Sequence, residues 1–156
     1  MIKTLKMEEN MEKQLISENI VLFDMEASNK EEIIRQIADA MDQDHRLENK
    51  EGYIQDVLER EKSSSTAIGY FTGTPHAKSI HVKIPSLAFA RLEKPVQWDE
   101  EEVSMVFQIA VPSPGQGERH LEILAKLFRN LVYDEFRDQL RNVKNKKEVV
   151  DLLKEF

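Results

Sequence analysis

His76 is the residue best placed for chemistry in this sequence. It stands between Pro75 and the small residue Ala77, and Pro75 fixes its own φ while biasing Thr74 toward extended geometry, so the imidazole is presented on a stiff loop. A neutral imidazole, with an ordinary pKa of about 6.5, is a competent nucleophile near neutral pH. A lone loop histidine is nevertheless more often a solvated or hydrogen-bonding side chain than a catalyst. Two further candidates stand at a distance in the sequence. Arg60 closes a helical pattern just before the hydroxyl run Ser63–Thr66, and His120 falls in the first turn of a later helix. Taken singly, Arg60 reads as a solvated charge and His120 as an exposed helix residue.

Other chemistries are poorly served. The serines lack a Gly-x-Ser-x-Gly elbow, and a hydroxyl run after a helix ordinarily satisfies backbone groups. His76 and His81 have no matching carboxylate pattern, so their spacing does not make a metal site, and no metal or organic cofactor is expected. His45, amid Asp42, Asp44 and Arg46, reads as surface. Neither Gly-x-x-x-x-Gly-Lys-Ser/Thr nor a strand followed by Gly-x-Gly-x-x-Gly occurs, so any phosphate chemistry uses another device. The lack of cysteine removes disulfides, thiolate catalysis and thiolate-bound zinc, and fits a reducing compartment.

At 156 residues, 40% hydrophobic and 33% charged, with 5 glycines and 5 prolines, the chain is expected to form one compact unit. A net charge of −7 argues against nucleic-acid binding, which needs a concentrated basic surface, and favours protein partners with basic or mixed faces. Met1–Asn19 has no apolar core like that of a signal peptide, and no apolar run approaches the roughly 18 residues of a membrane span. A cytoplasmic protein with no direct membrane insertion is expected.

Residues 1–14 read as a leader, frayed or a short helix, and 15–156 as the domain. Ile20–Phe23 is an apolar run of strand length. Ser28 and Glu31 have capping-box spacing for a helix over Asn29–Asp42, whose Ile33, Ile34, Ile37, Ala38 and Met41 form one face. Asn49 caps a second helix that buries Tyr53, Ile54, Val57 and Leu58 and ends near Arg60. Ser86–Leu92 and Ser104–Val111 read as central strands buried on both faces, separated at Pro95–Asp99 by a loop or a short edge strand. Beyond the Pro114–Gly117 turn, Leu121, Leu124, Leu127, Phe128, Leu131 and Val132 line a long helix. Two short helices follow, one over Asp134–Val143 and one capped by Asn145. The order predicts an α/β fold, a three-layer α/β/α sandwich around a central mixed sheet.

Several ordered blocks then agree with one known pattern: Arg60-Glu61, Ser65-Thr66-x-Ile68-Gly69, Pro75-His76-Ala77, Trp98-Asp99, Val106-Phe107-x-Ile109-Ala110-Val111-Pro112 and His120-Leu121. Together, from about Leu15 to Leu153, the chain resembles the mannitol/fructose-type enzyme IIA (EIIA type 2) of the phosphoenolpyruvate-dependent sugar phosphotransferase system. The resemblance implies that His76 accepts a phosphoryl group from phospho-HPr on its tele nitrogen and passes it to a cognate EIIB for fructose-like sugar uptake. It implies that Arg60 binds the phosphoryl group and that His120 stabilises it. It equally admits a regulatory EIIA of the nitrogen-related kind, which signals through its phosphorylation state. A third possibility is an interaction domain that has lost the chemistry, against which Arg60, His76 and His120 stand together. The sequence departs from the family pattern between Ile68 and Pro75, where Tyr70 and Phe71 replace small residues.

Overall fold

Two long strands rich in apolar and β-branched residues form the centre of the computed structural model, which describes residues 14–115 and 117–156. In chain order the elements are β1 (Val21–Met25), α1 (Lys30–Gln43), α2 (Lys50–Ser63), β2 (Thr72–Gly73), β3 (His76–Ser79), β4 (Ser86–Trp98), β5 (Glu101–Pro112), α3 (Gly117–Leu131), α4 (Asp134–Asn142) and α5 (Lys146–Leu153). The predicted leader lies outside the described residues except for Gln14. β4 and β5 pair antiparallel, β1 adds parallel to β4, and β2 and β3 add in succession parallel to β5. The sheet is therefore mixed. Met105–Val111 is buried without interruption, so helices cover both faces, as the alternation-free sequence of this strand predicts.

The helices begin where side chains satisfy their free amides. The Asn49 side chain accepts from the Gly52 amide at 3.0 Å, and that of Asn145 from the Glu148 amide at 3.0 Å. The cap of α1 lies one residue later than predicted. Asn29, not Ser28, takes the extended cap conformation and accepts from the Glu32 amide at 2.9 Å, while the Glu32 carboxylate accepts from the Ser28 amide at 2.6 Å. Behind that cap Ile33, Ile34, Ile37 and Met41 are fully buried, each contributing roughly 1.5–3 kcal/mol relative to exposure.

Two predicted boundaries need correction. Pro95–Asp99 is not a loop, because β4 runs on to Trp98 and pairs Val96, Gln97 and Trp98 with Val103, Glu102 and Glu101. The ladder breaks register between Arg91 and Val96, and Pro95 falls in that gap, where no ladder N–H is demanded of it. Asp99, with φ 56°, turns the hairpin. The stiff loop expected around His76 instead contributes β2 and β3 to the sheet edge.

Between α2 and β2 the Thr72 amide donates to the Gly69 carbonyl at 3.0 Å and closes a four-residue turn whose central residues, Tyr70 and Phe71, have φ of 56° and 57°. This is the left-handed geometry of a type I′ turn, which Asn-Gly ordinarily fills. For a residue with a Cβ that geometry costs roughly 1–2 kcal/mol.

Candidate functional site

The Pro75 carbonyl accepts from the Ile109 amide at 3.0 Å, and His76 pairs with Ile109 as the first residue of β3. The central strand thus fixes the backbone that bears the imidazole. His76 Nδ1 lies 2.8 Å from the Thr74 carbonyl oxygen. A carbonyl only accepts, so Nδ1 carries the proton and Nε2 holds the free lone pair. Thr74 is itself held, its amide and hydroxyl donating to the Thr66 carbonyl at 2.9 and 3.0 Å.

The imidazole is buried, with 8% exposure. Burial pushes its pKa below 6.5, and the nearby Arg60 charge pushes the same way, against the Thr74 hydrogen bond and Glu61. His120, on the first turn of α3, places its ring centroid 5.1 Å from that of His76, with the planes inclined at 45°. Its Nε2 is buried with no hydrogen-bond partner among the described residues. Burial first, and then the neighbouring His76, Lys78 and Arg60, bring its pKa down to about 4. Both rings are neutral at neutral pH. Arg60, near the end of α2, donates from Nη1 to the Ser64 carbonyl at 3.0 Å and hydroxyl at 3.3 Å, and its charge is felt at both imidazoles.

The structure thus brings His76 and His120 into ring contact, with Arg60 electrostatically near. The Thr72 and Thr74 amides are committed to the Gly69 and Thr66 carbonyls and offer the site no donor. The excluded residues lie elsewhere: His45 is exposed, and His81 is packed against Gly52, where an added Cβ would come within 2.5 Å of its ring. Among the described residues no group of three or more His, Cys, Asp or Glu side chains is arranged to hold a metal ion.

Sequence reasoning missed what supports the site. Glu61, given no role of its own by the sequence, is only 5% exposed. Its carboxylate accepts from the Thr66 hydroxyl, from the Thr66 amide at 3.4 Å, from Trp98 Nε1 at 3.3 Å and from Lys30 Nζ at 3.4 Å. Lys30 also donates to both Asp99 oxygens, at 2.8 and 2.9 Å. Glu61 therefore holds Thr66, Thr66 holds Thr74, and Thr74 holds His76. The adjacency of Trp98 and Asp99 was visible in the sequence, but not the carboxylate they share through Lys30. Glu61→Ala leaves buried donors unmatched and is expected to cost about 2 kcal/mol in urea denaturation.

Comparison with known proteins places this arrangement. The family model described as "Phosphoenolpyruvate-dependent sugar phosphotransferase system, EIIA 2" matches residues 14–156. The chain is 35% identical over 113 residues to the fructose-specific EIIA component of Haloferax volcanii, covering 70% of this chain and 73% of that protein. It is 30% identical over 143 residues to the fructose-specific EIIABC component of Bacillus subtilis, covering 90% of this chain but only 22% of that longer protein. Among solved structures, the nitrogen regulatory protein IIA-Ntr of Neisseria meningitidis superposes with a TM-score of 0.76 at 27% identity, covering 89% of this chain and 96% of that one. The mannitol IIA of Escherichia coli shares the fold, with a TM-score of 0.74 at 23% identity over 88% of this chain and 97% of its own.

The protein is a phosphotransferase component. The chain belongs to the EIIA 2 family of the phosphoenolpyruvate-dependent sugar phosphotransferase system. None of the described helices is long and apolar enough to cross a membrane.

Proposed function

We propose that the protein is a cytoplasmic phosphocarrier that takes a phosphoryl group from phospho-HPr onto His76 Nε2 and passes it to a cognate EIIB for uptake of a fructose-like sugar. The observation that carries this reading is the 2.8 Å contact between His76 Nδ1 and the Thr74 carbonyl, which leaves Nε2 as the nucleophilic nitrogen. In the accepting step the Nε2 lone pair forms the bond to phosphorus as the bond from phosphorus to the donor's leaving atom breaks. Phosphoryl transfer asks mainly for positioning and for charge stabilisation. Arg60 supplies the positive charge and, once released from Ser64, a forked set of donors. The buried Nε2 of His120 has no other described partner and serves as a hydrogen-bond donor to a phosphoryl oxygen rather than as a second acceptor. In the return step the same groups hold the phosphoryl oxygens while the EIIB nucleophile displaces Nε2. No cofactor enters either step.

Incubation with labelled phosphoenolpyruvate, enzyme I and HPr is expected to place one phosphoryl group on His76, with the phosphorus coupled to Nε2 in NMR spectra. Label on His120 or on Nδ1 of His76 refutes this arrangement. A second reading, in which the phosphorylation state is itself a signal, is favoured by the likeness to IIA-Ntr. Transfer onward to an EIIB supports the carrier. Stable phosphorylation with no EIIB able to accept supports the signal.

A further inference from the structure

We propose that Phe71, mounted on the strained turn before β2, is the residue by which this chain selects its EIIB acceptor. The inference rests on the phosphocarrier reading.

The turn is held rigidly on all sides. The Phe71 carbonyl accepts from the Ser104 and Met105 amides at 2.8 and 3.1 Å. The Tyr70 carbonyl accepts from the Thr72 hydroxyl at 3.0 Å and from Arg141 Nη2 at 3.1 Å. The Arg137 guanidinium lies 3.9 Å above the centre of the Tyr70 ring, and Arg137 is fixed in turn by the Leu131 carbonyl and Asp134. Tyr70 is thus clamped to α4. Phe71 is not: its side chain is 54% exposed, and among the described residues no ring or cation contact engages it. Two aromatic residues in left-handed conformations are costly where Asn-Gly would be relaxed, and strain of this kind persists where the surroundings enforce it and concentrates at functional positions. A rigid mount carrying an exposed aromatic side chain is the form of a binding anchor, because little freedom is lost on contact.

Its position ties the anchor to the reaction. Thr72 pairs with Met105 and His76 with Ile109, so the turn lies about 13 Å from the phosphoryl acceptor along β5. A protein that exchanges a phosphoryl group with His76 must bring its reacting atom to Nε2, and an interface of ordinary size covers about 800 Å² per partner, a radius of roughly 16 Å. A turn at that spacing along the strand is within reach of such a footprint. Leu121, the residue after His120, is 68% exposed, a second apolar side chain on the element that carries the other imidazole. The partner that differs between family members is the one on the sugar side, since the relatives bear fructose, mannitol and 2-O-alpha-mannosyl-D-glycerate in their names. The selected partner is therefore EIIB, whose face would offer an apolar pocket to the Phe71 ring.

The test compares wild type with Phe71→Gly and Phe71→Leu. Each is phosphorylated from phospho-HPr, and transfer is then followed to fructose-class and mannitol-class EIIB proteins over a range of EIIB concentrations. Phe71→Gly relaxes the turn, so it is expected to fold and to melt no lower than wild type. Uptake from phospho-HPr should change by less than about threefold, whereas kcat/KM for the preferred EIIB should fall at least about tenfold through KM, erasing most of the preference between EIIB classes. Phe71→Leu should recover part of it. An unchanged preference with wild type normally phosphorylated overturns this proposal alone, and so does an equal loss in both transfer steps. Failure of wild type to take label removes the phosphocarrier reading, and this proposal with it.

Discussion

A His76→Ala protein is expected to accept no phosphoryl group, and His120→Ala to accept it about 10²-fold more slowly. The first substitution removes the imidazole whose protonated Nδ1 is locked to a carbonyl and whose Nε2 is thereby left as a base. The second leaves that nucleophile in place but removes a donor beside it, and loss of one preorganised donor to developing negative charge ordinarily costs about 10²–10³ in rate. His120→Gln, which keeps an N–H, should recover part of the rate, whereas a merely structural role would give no such rescue. The pH dependence follows from burial. Because burial lowers the pKa of His76 below 6.5, its nucleophilic form persists to lower pH than that of a free imidazole, so the half-point of the acid loss of uptake should fall below pH 6.5. NMR titration of the imidazole checks this independently, and a midpoint above 6.5 would contradict the assigned environment. Once His76 bears a dianionic phosphoryl group, the midpoint of His120 should rise from about 4, since a neighbouring anion favours its charged form.

The largest expected loss of stability lies at a buried ion pair rather than at the imidazoles. Asp44→Ala is expected to cost about 3–5 kcal/mol, because it strands a buried guanidinium. Arg46 is fully buried and donates from Nε to Asp44 at 2.7 Å, with Nη1 reaching the Leu15 carbonyl at 3.3 Å and the Ser86 hydroxyl at 3.1 Å. Asp44 in turn accepts from Ser17 at 2.8 Å and Asn19 at 2.9 Å, so the pair joins the segment before β1, the end of α1 and the start of β4. Arg46→Met in the Asp44→Ala background should restore part of the loss, because the uncompensated charge is gone. The Asp44 carboxyl is held at about 2, its hydrogen bonds from Asn19, Arg46 and Ser17 outweighing the burial that opposes ionisation. An unfolded aspartate titrates near 3.9, so the stabilisation is fully present above about pH 4 and is lost as the pH falls toward 2. Denaturation of wild type and Asp44→Asn across that interval should show their difference shrinking with acidity. A constant difference would remove the carboxylate from the account.

These two regions differ in how far the sequence revealed them. The helices were legible because apolar residues recur at helical spacing behind real caps, with Asn49 and Asn145 working as predicted. The strand order was less so, since Pro95 looks like a strand breaker unless the register gap that accommodates it is known. Arg46 could not be foreseen, because it sits among charged residues and beside His45, which is exposed. His76, Arg60 and His120 were each weak alone and gained meaning only from the ordered blocks around them. Which nitrogen of His76 is free depends on a contact between residues two apart, set by rotamer and backbone rather than by residue type. Glu61 was hidden for a related reason, as a carboxylate near a helix end reads as solvated until its donors arrive from Trp98 and Lys30.

Pro75 does one thing more than steady His76. β2 and β3 form one border of the sheet, and a long unbroken border strand would offer its outward amides and carbonyls to the border of another molecule. Here the border is two short pieces of 2 and 4 residues, parted by Thr74 and Pro75. Neither piece offers a second copy of the chain a border long enough to pair with strand to strand.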